Sequence, residues 1–446
     1  SSGENNIGIG QGTLEALTTD DRNIAIGKHA MKNTAASDNI AVGDLAMYTN
    51  TSGRFCIAIG NNALNANNSG YGNIAIGYDA GKVIAGDGNH NILLGYKAGM
   101  AITAHDGNIA IGREALEKTN AAANIGIGYK ALEENISGTR NIAIGYEAYD
   151  NSNAESDNIA IGFDALSGAI DGGEFNVVIG NYAGDLITSG DGNSLFGHEA
   201  GSGLNTGHHN TFIGKLAGKD SGAVSYNVAV GVSASQNNEQ GGRVTSIGSF
   251  AGQSGDGNYA VNVGYAAGQY STGSSNTFIG DTAGQWTSGD NNIAIGHYAQ
   301  GPNLSGDGNV IIGYDTDAPS NSGDRQLIIA GNDGSTQTTW ITGDSNGNVS
   351  LNQLADVVAV TGNTTLTQAQ SGSYVYWTAG TLTLPLGATA GTQFTIFNNT
   401  GSSATVDATT GDRQIVSGWL TNAAVADHDA TSYVCVSTDN WVQVGA

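Results

Sequence analysis

Three groups of residues in this chain have types and spacings that chemistry could use. Aspartates recur beside glycine, as Asp87, Asp191, Asp256 and Asp307 in four copies of "GDGN" and as Asp290 in "SGD". Paired carboxylates on a solenoid flank are the tools of glycan-cleaving enzymes, and tandem Gly/Asp loops hold calcium in nonapeptide repeats. The tandem glycine–aspartate pattern is absent here, and Asp-Gly is ordinary turn chemistry, so these residues read as turns. His208 and His209 in "GHHN" sit side by side in a loop, where both cannot easily face one ion; they read as solvated. Asp427, His428 and Asp429 form "DHD", which around a threefold axis would gather three imidazoles and six carboxylates; a solvent loop is the plainer reading. No catalytic residue, metal or cofactor is assigned, and the chain reads as a non-enzyme.

The remaining chemistry is recognition. Tyr374, Tyr376, Trp377, Trp419 and Trp441 cluster in the last quarter of the chain, and such aromatics stack on sugars or anchor protein contacts. Alternation in "SYVYW" and "NWVQV" turns Tyr376 and Trp441 inward. Trp419, in the long segment "SGWLTNAAVADHDATS", reads as exposed. Trp377, Trp419, Asp427, His428 and Asp429 are therefore the candidate receptor-binding residues, since loops on a rigid scaffold carry recognition.

Composition limits the partners. The net charge of −25 disfavours nucleic acid and anionic membrane, which need basic surface. Cys56 and Cys435 lie far apart with no metal-ligand spacing, and no apolar run is long enough to span a bilayer. The chain begins "SSGENN" and enters its repeat within six residues, which reads as a fragment or processed form. With 69 glycines, 12% charged and 39% hydrophobic residues, it is too apolar for disorder and too Gly-rich for helix.

What must position any site is a repeat. The phrase "NIAIGxxA" recurs nineteen times at spacings of 16 to 18 residues, closed by glycines from Gly10 to Gly313 and including Gly27, Gly77 and Gly145. With that glycine as position 0, position −1 is always apolar, and −3 is Ile or Val except at Ser194, Thr211, Thr245 and Thr277. Position −4 is Asn in sixteen copies (Asn23, Asn39, Asn73, Asn91, Asn108 and Asn141 among them), and the exceptions are Cys56, Val244 and Ala260. Position +3 is Ala except at Thr13 and Thr316, in the first and last copies, as the caps of a solenoid require.

Alternation over −3 to −1 predicts a short strand with one buried face. The Asn predicts a ladder, each side-chain amide bonded to the next. The glycine predicts a turn closed to residues with a Cβ. A coil of about 17 residues with one apolar strand leaves its Ile/Val stripe, represented by Ile26, Ile76 and Ile144, in need of cover. The economical source is a cyclic homo-oligomer with the stripes facing its axis. Eighteen steps of ~4.8 Å make a rod of roughly 85 Å. Position +4 is large in the first half (Leu14, Met31, Met47, Leu64, Leu116, Leu132, Leu166) and glycine later (Gly184, Gly201, Gly218, Gly252, Gly268, Gly284). Bulk moves to −2 at Phe212 and Phe278, which reads as a change of cross-section.

The "NIAIGxxA" copies over about residues 5 to 316 closely resemble the head repeats of trimeric autotransporter (YadA-like) adhesins. That resemblance implies a trimeric left-handed parallel β-roll. The adhesins' membrane barrel segment and signal peptide have no counterpart in this sequence. "RQLIIAGNDGSTQTTWITGDSNGNVSL" (325–351) looks like the collar hairpins of bacteriophage tail fibres, and the segment after it like a fibre tip. The combined expectation is an all-β homotrimer: a roll over 1–316, a neck over 317–350, and a small antiparallel β-sandwich tip over 351–446. Its expected role is a virion fibre, binding a host-surface glycan or protein through the tip and other virion proteins through a part N-terminal to this sequence. The rival expectation is a bacterial surface adhesin or matrix filament. An ice-binding solenoid lacks its Thr-x-Thr array here, and a glycan depolymerase lacks a site.

Overall fold

The computed structural model describes residues 3–238, 241–301 and 303–351, and beyond these the strand segments between Val358 and Val444 together with Leu366. No helix occurs among them. The chain divides into two compact units, Ser1–Val349 and Ser350–Ala446.

The first unit is a parallel β-solenoid of about nineteen coils. Each repeat supplies a three-residue strand, such as Ile24–Ile26, Ile74–Ile76 or Ile142–Ile144. Each strand pairs in parallel and in register with the same positions one coil on, as Ile142, Ala143 and Ile144 do with Ile159, Ala160 and Ile161. A turn of this tightness needs a special backbone, and the closing glycines supply it with φ between +132° and +158°. A Cβ on Gly145 would also run into the carbonyl oxygen of Gly162. Conformation and close approach both demand glycine there.

Asparagine does more than bond to its own kind. The Asn23 side-chain oxygen accepts the backbone N–H of Asn39 at 3.0 Å, and Asn141 accepts that of Asn158 at 3.0 Å. The side-chain nitrogen meanwhile donates to a carbonyl of the next turn, as Asn141 does to Glu155 O at 2.7 Å. Side-chain to side-chain rungs form only in stretches, for example Asn91 to Asn73 and Asn108 to Asn91 at 3.1 Å. The expected amide-to-amide ladder is thus mainly an amide-to-backbone ladder, satisfying buried groups that would otherwise cost about 1–3 kcal/mol each. Cys56 stands in at one rung: its N–H donates to Asn39 Oδ1 at 3.0 Å and its thiol to Gly70 O at 3.2 Å.

The face a single chain buries is the small-residue one. Position −2 points inward and is fully buried at Ala25, Ala75, Ala143, Leu195 and Phe212, while Ile26, Ile76 and Ile144 at −1 stay exposed. Position +4 also points inward, and the two share one volume. Where +4 is Met31, Leu64 or Leu116, position −2 is Ala25, Ala58 or Ala110, all buried. Where −2 is Phe212 or Phe278, a Cβ at Gly218 or Gly284 would collide with that phenyl ring. In these coils the subtypes place their bulk on one or the other side of a shared core volume.

The parallel stack continues one strand past the nineteenth glycine. Leu327–Asn332 pairs with Val310–Ile312 through Leu327, Ile328 and Ile329. Here Gln326 takes the Asn position, its N–H on Asn309 Oδ1 at 2.8 Å, and Ala330 takes the glycine position. The chain does not make the glycine's turn. It runs on to Asn332 and returns as Gln337–Gly343 in an antiparallel hairpin.

The second unit is mixed. Val358–Val360, Tyr374–Trp377 and Gln393–Asn398 pair in parallel in a six-stranded sheet, and Thr364–Thr365, Leu382–Thr383 and Ala404–Asp407 in parallel in a four-stranded one. Consecutive strands alternate between the sheets, so this half is itself a short roll. The antiparallel part of the expectation holds for three further pairings, Gln393–Asn398 with Ala430–Ser437, Ala430–Ser437 with Asn440–Val444, and Ala404–Asp407 with Asn422–Val425, whereas Gln414–Ile415 joins Asn440–Val444 in parallel.

The shared core volume is testable. Phe212→Ala and Gly218→Leu are each expected to lower stability, by roughly 3 kcal/mol for the cavity and by 1–3 kcal/mol for the overpacking. The double variant reproduces the Ala/Leu pairing of other coils, so thermal unfolding should show it recovering at least half of the summed loss. Additive losses would refute a shared volume.

Candidate interaction surface

The outward face is built by three columns of side chains. Positions −3 and −1 of the strands present Ile and Val: Ile7 and Ile9 are more than half exposed, and Ile59, Ile76, Ile213, Ile247 and Ile279 remain exposed along the unit. This stripe is flanked by two corners. Position −5 adopts the left-handed conformation in every coil, with φ of +56° to +69°, even where it is Phe55, Phe175, Tyr226, Arg243 or Tyr259. Non-glycine residues hold that conformation at a cost of order 1 kcal/mol each, and here it turns their side chains to solvent. Position +1 forms the other corner. Tyr129 stacks on Tyr146 at 4.9 Å and Tyr146 on Phe163 at 5.0 Å, with Arg113 lying 5.6 Å over Tyr96 and 5.7 Å over Tyr129.

Charges form short vertical networks beside these columns. Asp38 bridges Arg22 at 2.5 Å and Arg54 at 2.6 Å, and Arg140 meets Asp157 at 2.6 Å. Glu114, Glu117 and Glu133 come close enough to share an ion. Each already holds a cation: Arg113 at 3.1 Å, Lys97 at 2.8 Å and Lys130 at 2.9 Å. The donor set is therefore neutralised within the chain, and no metal centre is assigned to it.

Further along, carboxylates face one another. Burial, then Glu147 and Asp164, push the Asp150 carboxyl up to about 6; burial, then Glu199 and Asp164, push Asp185 to about 6. The Oδ1 atom of Asp185 is buried without a hydrogen-bond partner. Asp38 goes the other way, held at about 2 by the Arg22 and Arg54 guanidiniums.

The residues singled out in the sequence fall as follows. Three of the turn aspartates, Asp191, Asp290 and Asp307, are rungs of a second ladder, whereas Asp87 and Asp256 sit two residues earlier in their turns. At position −6, Asp191 accepts the N–H of Glu174 at 2.8 Å, Asp307 that of Asp290 at 2.8 Å, and Asp324 that of Asp307 at 2.9 Å. "GDGN" occurs in two registers: Asn193 and Asn309 are in the −4 ladder, whereas Asn89 and Asn258 sit at −6 and accept from Tyr71 and Gly242, both at 2.8 Å. His208 accepts the N–H of Asp191 on Nδ1 at 3.0 Å, while His209 stacks on Tyr226 at 5.3 Å, so the pair does not converge. Trp377 ends the strand Tyr374–Trp377. Trp419, Asp427, His428 and Asp429 lie outside the described residues. A glutamine ladder went unread: Gln253 donates to Gln236, Gln269 to Gln253 and Gln285 to Gln269 at 3.2, 2.6 and 2.8 Å. Its signal was present in the sequence as glutamine at +5 in four successive coils.

No helix among the described residues is long and apolar enough to cross a membrane. Compared with protein-family models, curated proteins and solved structures, the chain matches none.

The opposed carboxyl shifts set a pH optimum. Asp150 and Asp185 have folded values above the ordinary value near 4, so their charged forms oppose folding; that opposition is full above about 6, eases as pH falls below it and is gone below about 4. Asp38 has a folded value below it, so its contribution is complete above about 4 and is lost as pH falls toward 2. Thermal unfolding from pH 2 to 8 should peak near pH 4, and Asp150→Asn with Asp185→Asn should flatten the alkaline side. A midpoint that rises steadily to pH 8 would contradict this.

Proposed function

We propose that the chain is a structural and attachment fibre of a virion, a homotrimer in which the β-solenoid is scaffold and the C-terminal unit meets a host-surface glycan or protein. One observation carries the trimer: a largely apolar stripe at −3 and −1, half-buried to exposed in every coil and flanked in many coils by exposed aromatic residues at the corners. Apolar patches longer than a few hundred Å² on a soluble chain mark a contact surface. A stripe that repeats at every coil is matched best by the same stripe on another copy.

The corners support the same reading. They are six residues apart, on opposite sides of the strand, and do not meet within a chain. Yet wherever −5 is Gly or Ala, +1 at the same level is large: Gly72 and Tyr78, Gly107 and Arg113, Ala123 and Tyr129, Gly192 and His198, Gly308 and Tyr314. That relation follows if the −5 corner of one copy receives the +1 corner of the next, coil by coil, closing into a ring. Three C-terminal units on one fibre would then raise avidity without a strong single contact.

The test is cross-linking. Ala123→Cys with Tyr129→Cys places two thiols on the order of 15 Å apart along the strand Ile125–Ile127, beyond the ~7 Å Cα limit for a bridge within one chain. Oxidation should yield covalent trimers absent from the parent chain. Monomers with both thiols free would overturn the interface. For attachment, the full chain is expected to bind glycans or whole cells, and a chain ending at Val349 to lose that binding; retention would move the site to the solenoid.

A further inference from the structure

The Asn ladder fails at two successive rungs, Val244 and Ala260, and the failure coincides with a change inside the roll. The Val244 N–H still finds Asn227 Oδ1 at 2.8 Å. Val244 itself offers no side-chain oxygen, so the Ala260 N–H above it has no ladder acceptor. Two residues on, position −2 is Asn262 where every other coil but that of Ser246 places Gly or an apolar residue, and its side chain points into the core at 3% exposure. Asn262 Nδ2 donates to Ser246 Oγ at 3.3 Å, and that oxygen also accepts from Ser235 at 2.9 Å. Asn262 Oδ1 is buried and meets no donor among the described residues. Turning the amide over would only exchange which end lacks a partner.

The two residues that carry the unmatched groups, Ala260 and Asn262, line one small cavity. Val244, Ala260, Asn262, Ser271, Gly252 and Gly268 enclose about 10 Å³, the room that a single water requires on the order of. Empty cavities in proteins are apolar, whereas buried waters sit where two to four polar groups converge. Here the lining residues carry an unmatched backbone donor, an unmatched side-chain acceptor and the Ser271 hydroxyl; that hydroxyl donates to Thr287 O at 2.9 Å and keeps its lone pairs free to accept.

We infer that one ordered water is built into the solenoid at this level, accepting from the Ala260 N–H and donating to Asn262 Oδ1 and Ser271 Oγ. The water replaces the missing rung: the sequence moves the Asn from −4 to −2, and the water completes the bond that the −4 oxygen would have made. The seam also carries little apolar volume, with Ser246 at −2 facing Gly252 and Asn262 facing Gly268, so these coils open before their neighbours.

A high-resolution structure of the full chain tests the site directly. Water density within hydrogen-bonding distance of Ala260 N and Asn262 Oδ1 is expected, and a dry cavity overturns the inference. The variant Ala260→Asn/Asn262→Leu supplies an independent reading. It rebuilds the pattern of Asn91–Gly95, in which Leu93 lies against Gly99, and should expel the water. Amide exchange over residues 244–276 should slow by about tenfold or more. Unchanged or faster exchange in the folded variant would show that the seam needs no water to explain it.

Discussion

At each coil boundary the closing glycine brings its α-carbon against the carbonyl oxygen of the glycine one coil on, at a φ that side chains do not tolerate. That contact sets the height of every step. It holds the strands in register, lines up the Asn oxygens under the next N–H, and fixes the interior width that −2 and +4 must share. The chain stops stacking where Ala330 replaces the glycine, and the same backbone then runs straight into a hairpin.

A roll this thin buries mostly alanine. The aliphatic side chains able to supply a larger hydrophobic gain stay outside, on the strand face opposite the core. Hydrogen bonding between coils is nearly complete, so a single chain is internally satisfied yet carries a continuous apolar stripe. The two faces of the same three residues therefore differ: the inner one closes the roll, and the outer one leaves aliphatic side chains at the surface. Ion pairs such as Arg22–Asp38 and Arg140–Asp157, and the glutamine ladder from Gln236 to Gln285, run along the axis and join successive coils, as the stacking does.

Much of this was legible from periodicity. The glycine, the Asn and the alternation at −3 to −1 each recur at one phase, so their roles could be read without coordinates. Three things could not. A search keyed on glycine ends at Gly313, because the last parallel strand keeps the register of Leu327 to Ile329 while changing both markers, to Gln326 and Ala330. "GDGN" looks like one motif but serves two rungs, since the turn before the strand varies by two residues between coils. In the second unit, parallel partners lie at unequal distances in sequence, Val358 with Val375 but Leu382 with Val406, so no period betrays the short roll. The candidate binding residues Trp419 and Asp427 to Asp429 rest on sequence alone.

The central claim is that the outer Ile/Val stripe exists to be covered by two further copies of the chain. The mass of the intact 446-residue protein in solution tests it most directly. Light scattering at micromolar concentration should give a particle of three chains, unchanged by salt because the contact is apolar. A stable, soluble particle of one chain would leave the stripe uncovered and contradict the claim.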